Sequence, residues 1–206
     1  ESALSACADL EREGFHDIVL SAKASCPVLM IETYRKLAKA CDYPLHLGVT
    51  EAGTREEGII RSAVGLGALL SEGIGDTIRV SLTADPVLEV QAAYSILKAL
   101  SLRQRGATLV SCPTCGRTEV PLIAIAEEVE KRLKDIKAPI RVAVMGCVVN
   151  GPGEAREADV GIAGGKDSFV LFRKGEVLRK VRADHAVAAL MDEVDRWVKE
   201  MEQADA

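Results

Sequence analysis

Strand-like apolar runs recur about every 30 residues through the first half of the chain, and a helix-like segment follows each of the first three. The predicted strands cover residues 16–22, 45–51, 76–82 and 107–111, and the predicted helices cover 27–41, 55–71 and 86–102. The residues before Gly14 have the pattern of one more helix. Because units of this length build parallel sheets covered by helices, the predicted fold class is α/β.

The composition agrees with such a fold. Of the 206 residues, 48% are hydrophobic but only 3% are aromatic, so the core must be built from Val, Ile, Leu and Ala. These residues suit parallel strands that are buried on both faces. The length allows one large domain or two small ones.

The pattern changes after Cys115. A helix is predicted over residues 118–136 with Thr118 as its N-cap, and a strand over residues 140–146 runs directly into Cys147. Short strands are predicted at 158–163, 168–172 and 177–181, and a final helix begins at Asp184. We therefore predict two domains, residues 1–110 and an α+β module at residues 111–206.

Three cysteines and a glutamate have the spacing C-x2-C-x31-C-x6-E, through Cys112, Cys115, Cys147 and Glu154. Thiolates bind zinc or iron–sulfur clusters. A zinc ribbon needs a second Cys or His pair within about 15–20 residues, which the sequence lacks. A redox dithiol would not need Cys147 or Glu154. The spacing favours a [4Fe–4S] cluster with one exchangeable oxygen ligand, and zinc remains the alternative.

Polar residues lie where the predicted strands end. Lys23, Glu51, Ser81 and Cys112 stand at or just beyond the carboxyl ends of successive strands, and Arg79 shares a strand face with Ser81. In α/β folds, ligands bind at this rim of the sheet. The competing interpretation is that strand ends are polar because they meet solvent. The three histidines, including His46, have no ligand spacing and are predicted to be structural.

The charge and hydropathy of the chain argue against several partners. The formal net charge is −5, and the lysines and arginines form no cluster, which disfavours nucleic acid and anionic membranes as partners. No uncharged run approaches the roughly 18 apolar residues of a membrane span, and no signal peptide opens the sequence. With no export signal and a C-x-x-C among six cysteines, metal or redox use is favoured over disulfides, and the sequence predicts a cytoplasmic or plastid-stromal protein in a reducing compartment.

Several motifs in order resemble one family. They are LHLGVTEAG at 45–53, GDTIRVSLT at 75–83, SCPTCGR at 111–117 and GCVVNGPGE at 146–154, with LSAKAS at 20–25 and ADVGIAGG at 158–165. Together they closely resemble the bacterial 4-hydroxy-3-methylbut-2-enyl diphosphate synthases, and the resemblance covers nearly the whole chain. It implies the C-terminal half of a TIM-type (β/α)8 barrel followed by a small α+β iron–sulfur domain.

The resemblance also implies an activity, the reductive ring opening of 2-C-methyl-D-erythritol 2,4-cyclodiphosphate in non-mevalonate isoprenoid synthesis. Electrons would come from flavodoxin or ferredoxin, and the complete enzyme would be a homodimer. Cys112, Cys115, Cys147 and Glu154 would hold a [4Fe–4S] cluster.

Substrate roles are expected for residues of the first domain. Lys23, Ser81 and Arg79 would bind the diphosphate, and Glu51 is the candidate general acid. Because the strands that supply further arginines in the family are absent from this sequence, the chain alone is expected to be inactive. A zinc-stabilised binding module without redox activity is the alternative function.

Overall fold

The computed structural model describes residues 1–147, 155 and 157–204. The chain divides into two units, Glu1–Gln104 and Arg105–Ala206. Each unit has a sheet and a hydrophobic core of its own.

The first unit is built from strand–helix repeats. Its helices are α1 (Ser2–Arg12), α2 (Pro27–Ala40), α3 (Arg55–Ser71) and α4 (Pro86–Ala99), and its strands are β1 (His46–Gly48) and β2 (Thr77–Arg79). The two strands pair in parallel, with Gly48 opposite Arg79. Parallel bridges from Leu20 to Leu45 and from Ala24 to Val49 add the segment at 20–24 on the other side of β1. The predicted βα repeat is therefore confirmed for three extended segments.

The core of this unit lies between the helices and one face of the extended segments. Leu45, Leu47, Val49 and Val80 are buried there, against helix residues that include the fully buried Met30. Pro27 occupies the first turn of α2, and the Asp85 carboxylate caps α4 by accepting a hydrogen bond of 2.8 Å from the backbone N–H of Val87. These helix starts agree with the sequence prediction.

The second unit contains a mixed five-stranded sheet. Its strands are β3 (Thr108–Ser111), β4 (Arg141–Met145), β5 (Val160–Gly164), β6 (Ser168–Arg173) and β7 (Glu176–Arg182), and they lie side by side in that order. The pairs β3–β4 and β4–β5 are parallel, whereas β5–β6 and β6–β7 are antiparallel. The helices are α5 (Leu122–Leu133) and α6 (Ala186–Ala204), and a 3-10 turn at Ala183–His185 precedes α6.

The strand predicted at 107–111 was expected to be the fourth of the barrel, and that assignment is wrong. Its residues hydrogen-bond to β4, from Thr108 opposite Arg141 to Ser111 opposite Val144. It is therefore an edge strand of the second sheet. The structure divides the chain after Gln104, six residues before the predicted boundary.

The helix predicted from Thr118 begins later than expected. Leu122 is its first residue and Pro121 its N-cap, so Thr118 does not cap it. Its apolar stripe packs as predicted, with Val129 and Leu133 buried against Val142 and Val144 of β4. In the described part of the chain, no helix is long and apolar enough to cross a lipid bilayer.

Candidate functional site

Lys23, His46 and Arg79 lie on the polar face of the first unit's extended segments, opposite the helices. His46 and Gly48 alternate with the buried Leu47, and Arg79 is the register partner of Gly48. A Cβ atom on Gly48 would lie 2.9 Å from Lys23 Cδ and 3.0 Å from the carbonyl oxygen of Arg79. The Lys23 side chain therefore crosses directly over Gly48, and only glycine leaves it that path.

The imidazole of His46 shares this face. Its Nδ1 atom is 2.8 Å from the Thr77 hydroxyl oxygen on the neighbouring strand. Burial lowers the pKa of His46, and the nearby positive charges of Lys23 and Arg79 lower it further. These effects favour a neutral imidazole near two cations, hydrogen-bonded to Thr77.

Tyr34 fixes the backbone beneath this face. Its fully buried hydroxyl, supplied by α2, donates a hydrogen bond of 2.6 Å to the carbonyl oxygen of His46. The same hydroxyl accepts a 2.8 Å hydrogen bond from the N–H of Ala22, and the Ser21 hydroxyl also donates to the His46 carbonyl at 3.1 Å. The Tyr34 side chain thus joins the segment at 20–24, which carries Lys23, to β1 at a point where the two have no direct strand pairing.

Glu51 and Ser81 follow the ends of β1 and β2. Glu51 is exposed and has a φ of 52°, in the left-handed region that residues other than glycine rarely adopt. The N–H of Thr83 donates to the carbonyl of Gly53 at 2.9 Å, which joins the two loops. The loops that carry Glu51 and Ser81 are therefore neighbours at the carboxyl ends of β1 and β2.

In the second unit, Cys112 follows β3 and Cys147 follows β4, so parallel pairing brings both cysteines to one end of the sheet. The N–H of Gly146 donates to the Cys112 sulfur at 3.2 Å. Cys147 is 8% exposed, and none of the three candidate cysteines forms a disulfide. Two segments more than thirty residues apart are thus in direct contact through a sulfur atom.

Cys115 stands in a turn closed by Thr118. The Thr118 hydroxyl accepts a hydrogen bond of 3.1 Å from the N–H of Cys115, and the N–H of Thr118 donates to the Cys115 carbonyl at 3.0 Å. A hydrogen bond from the backbone of Arg117 lowers the pKa of the Cys115 thiol, and one from Thr118 adds to the effect. Both favour the thiolate that metal binding requires.

The donor chemistry fits a thiolate-bound metal centre. All three sulfurs are free, and two of them accept or stand beside hydrogen-bond donors, as thiolate ligands do. Among the described residues, no three His, Cys, Asp or Glu side chains are close enough to hold one metal ion. Glu154, the predicted fourth ligand, lies outside the described residues.

An open apolar hollow of about 400 Å³ lies beside Cys112. Leu109, Pro113, Leu122 and Ile123 contribute to its wall, and Glu127 and Glu130 stand among its lining residues. The edge position of β3 leaves this side of the sheet uncovered by another strand in the described part of the unit. The sequence pattern did not indicate this hollow.

Comparison with known families gives one consistent result over both units. The profile of the GcpE TIM-barrel domain matches residues 1–94, and that of the GcpE protein C-terminal domain matches residues 108–196. The chain belongs to the GcpE family. The TIM-barrel relationship expected for the first unit is thereby confirmed.

Curated relatives of this GcpE-family chain carry one name, 4-hydroxy-3-methylbut-2-en-1-yl diphosphate synthase (flavodoxin). The chain is 60% identical over 200 residues to the protein of Geobacter sulfurreducens, covering 97% of this chain and 57% of that one. It is 58% identical to the proteins of Clostridium tetani, covering 94% of this chain and 56% of the relative, and Bacillus subtilis, covering 97% and 53%. The chain spans about half the length of these relatives and matches their C-terminal part.

The sequence patterns gave no indication of two residues at the candidate sites of this GcpE-family chain. His46 was predicted to be structural because it has no ligand spacing, yet it shares a strand face with Gly48, and the charges of Lys23 and Arg79 act on it. The alternation of His46, Gly48 and Thr50 with the apolar Leu45, Leu47 and Val49 was the available signal. Thr118 was interpreted as a helix cap, and no sequence signal tied its hydroxyl to Cys115.

Proposed function

We propose that the protein carrying this chain converts 2-C-methyl-D-erythritol 2,4-cyclodiphosphate to 4-hydroxy-3-methylbut-2-enyl diphosphate in isoprenoid biosynthesis. The names of the relatives support this reaction. The structural observation that carries it is the contact between the Cys112 sulfur and the turn that leads into Cys147. A cysteine set divided between distant segments needs such a contact before it can bind one metal centre.

Cys112, Cys115, Cys147 and Glu154 would hold a [4Fe–4S] cluster in an α+β domain at about residues 111–206. When bound, the cluster would supply single electrons and a Lewis-acidic iron for a substrate oxygen. A carboxylate is a weaker ligand for this iron than a thiolate, so Glu154 is the exchangeable ligand. We also propose flavodoxin as the electron donor, in line with the relatives' names, and a cytoplasmic homodimer as the complete enzyme.

Lys23, Arg79 and Ser81 would bind the substrate's diphosphate. Lys23 and Arg79 present positive charge on the polar face of the sheet, where both act on His46. Arginine and hydroxyl donors suit phosphate oxygens, and lysine contributes a point charge. A neutral His46 adds a hydrogen-bonding group to this face without a third full charge. The cyclic diphosphate would therefore be oriented from the first unit.

Glu51 would be the general acid. The conversion takes up two electrons and two protons and releases one water molecule, so a proton must reach the departing hydroxyl. Glu51 is exposed at the end of β1, and the same polar edge carries Ser81. Its left-handed backbone is an unfavourable conformation of the kind found at functional sites.

Metal analysis of anaerobically prepared complete protein tests the cluster directly. We expect iron and sulfide in near-equal amounts, and we expect Cys147→Ser to lose both because Cys147 is the thiol contributed by the distant segment. Cys26→Ser, an exposed cysteine of the first unit, is the matched control and should keep them. Zinc without sulfide would instead establish the zinc-stabilised binding module and overturn the proposed reaction.

A further inference from the structure

We infer that Thr118 and Gly146 form a clamp that positions the cysteine ligands, and that the Thr118 hydroxyl donates a hydrogen bond to the Cys115 sulfur. The inference rests on the proposed iron–sulfur function and adds to it two residues that are not ligands. Both are positioning residues, since they would act on the metal centre through cysteines.

The first half of the clamp lies within the turn from Cys112 to Thr118. Thr118 and Cys115 hold each other through two hydrogen bonds, N–H of Cys115 to the Thr118 hydroxyl at 3.1 Å and N–H of Thr118 to the Cys115 carbonyl at 3.0 Å. A hydroxyl that accepts one hydrogen bond still has a proton to donate. The Thr118 oxygen is 3.9 Å from the Cys115 sulfur, within reach of that proton.

The second half is the contact between Thr118 and Gly146. A Cβ atom on Gly146 would lie 3.0 Å from both Cγ2 and Oγ1 of Thr118 and 3.1 Å from Leu122 Cδ2. The N–H of Gly146 meanwhile donates to the Cys112 sulfur at 3.2 Å. Thr118 holds the Cys115 turn, and Gly146 donates to the Cys112 sulfur and directly precedes Cys147. The contact between Thr118 and Gly146 therefore connects all three cysteine positions. The absence of a side chain at Gly146 is what permits the close approach.

These contacts have an electronic consequence as well as a geometric one. Hydrogen bonds to cluster sulfurs contribute to the reduction potential of iron–sulfur clusters. The reduced cluster carries one more negative charge, which a hydroxyl donor stabilises, so loss of the donor shifts the potential in the negative direction. The methyl group of Thr118 has no such effect, because it only fills space against Gly146.

Two substitutions separate the hydroxyl from the methyl group. T118V keeps the shape and removes the hydroxyl, whereas T118S keeps the hydroxyl and removes the methyl group. T114V is the matched control, because Thr114 lies in the same turn and no hydrogen bond of its hydroxyl is found among the described residues. Each variant is made in the complete protein and studied anaerobically. We measure its iron and sulfide contents, and we determine its midpoint potential by electron paramagnetic resonance.

We expect a more negative midpoint potential in T118V and the wild-type value in T118S and T114V. Resonance Raman spectra give a second readout, because transfer to D2O shifts Fe–S(Cys) bands that carry an exchangeable hydrogen bond. That shift should be smaller in T118V and retained in T118S. Loss of the cluster from T118V alone would also support the hydroxyl role. A wild-type potential and deuterium shift in T118V, or cluster loss from both Thr118 variants, would overturn it.

G146A tests the geometric part of the clamp. Its new methyl group would meet Thr118 at 3.0 Å. Mutating residues that support metal ligands typically lowers metal affinity or activity by about 10–100-fold, and we expect a chelator to remove iron about tenfold faster than from wild type. An unchanged rate would overturn the clamp. Failure of the proposed function is a different result, because wild-type protein itself would then contain no iron and sulfide.

Discussion

Glu51 combines an unfavourable backbone conformation with a position at the candidate substrate edge. Its φ of 52° costs about 1–2 kcal/mol for a residue with a Cβ atom, and glycine removes that cost while adding about 0.5–1 kcal/mol of unfolded-state entropy. We predict that Glu51→Gly raises the free energy of unfolding by about 0.5–1 kcal/mol. The same variant should lose most of its kcat in the complete enzyme, because it lacks the proposed general acid.

Lys174→Gly is the control for this prediction. Lys174 also has a positive φ, 48°, but it lies in the turn between β6 and β7. The Lys174→Gly variant should show a similar rise in the free energy of unfolding and keep the wild-type kcat. Urea unfolding and steady-state kinetics measure both quantities. Unchanged kcat in Glu51→Gly would show that Glu51 is only a polar strand end.

His46 should make the stability of the first unit depend on pH. Because burial, Lys23 and Arg79 lower its pKa in the folded state, the unfolded chain binds the proton first as the pH falls. We predict that the free energy of unfolding falls as the pH drops below about 6.5, the ordinary histidine pKa, and that His46→Gln reduces this slope. His16→Gln, at an exposed histidine of the same unit, is the control.

Nuclear magnetic resonance of the imidazole tests the cause of the shift. Lys23→Met keeps the side-chain stem over Gly48 and removes the charge, so the pKa of His46 should rise in that variant. If it does not move, the two side chains do not share a face in solution.

At this scale the sequence predicted residue types better than residue contacts. Lys23, Arg79, Cys112 and Cys147 could be selected as candidates, which stay predictions, because strand ends and ligand spacing follow from local patterns. The contact of Gly146 with the Cys112 sulfur could not be predicted, because it depends on which strands pair. His46 was missed for a similar reason, since its partners lie on two other segments of the chain.

At the scale of elements, Gly161 in β5 allows β6 to pack closely. A Cβ atom there would lie 2.7 Å from Phe172 Cε2 and 2.8 Å from Ala143 Cβ, so neighbours on both adjacent strands would have to move. We predict that Gly161→Ala lowers the free energy of unfolding by about 1–3 kcal/mol through overpacking. Adding Phe172→Leu, which removes the end of the ring, should recover part of the loss.

A double-mutant cycle in urea measures this recovery. Gly67→Ala is the control, because nothing lies within 4 Å of a Cβ atom at that helical glycine and alanine is the better helix former. Additive losses for Gly161→Ala and Phe172→Leu would contradict the proposed clash.

The elements themselves were predicted well where a local pattern determines them. The starts of α2, α3 and α4 agree with Pro and polar residues at their first turns. The run at 16–22 was predicted as a strand but does not form a regular one. The N–H of Ala22 donates its hydrogen bond to the Tyr34 hydroxyl and not to a neighbouring strand. The run at 107–111 was recognised as a strand but assigned to the wrong sheet, since an apolar pattern does not identify its pairing partner.

At the scale of the whole molecule, the chain has separate cores in its two units. Leu47 is fully buried in the first core and Leu190 in the second, and the core clusters of the two units share no residue. Domains with their own cores can unfold as separate cooperative units. A metal bound only by the folded second unit would stabilise that unit by mass action.

We therefore predict two transitions in thermal unfolding, followed by circular dichroism and calorimetry. Leu47→Ala should lower the midpoint of one transition and Leu190→Ala that of the other, each by destabilising its unit by about 2–5 kcal/mol. Removing the proposed iron with a chelator should lower only the transition that Leu190→Ala lowers, because the candidate cysteines belong to the second unit. A single transition that shifts equally with all three changes would show that the units unfold together. If iron removal moved the transition that Leu47→Ala identifies, the cysteines of the second unit would not be the metal ligands.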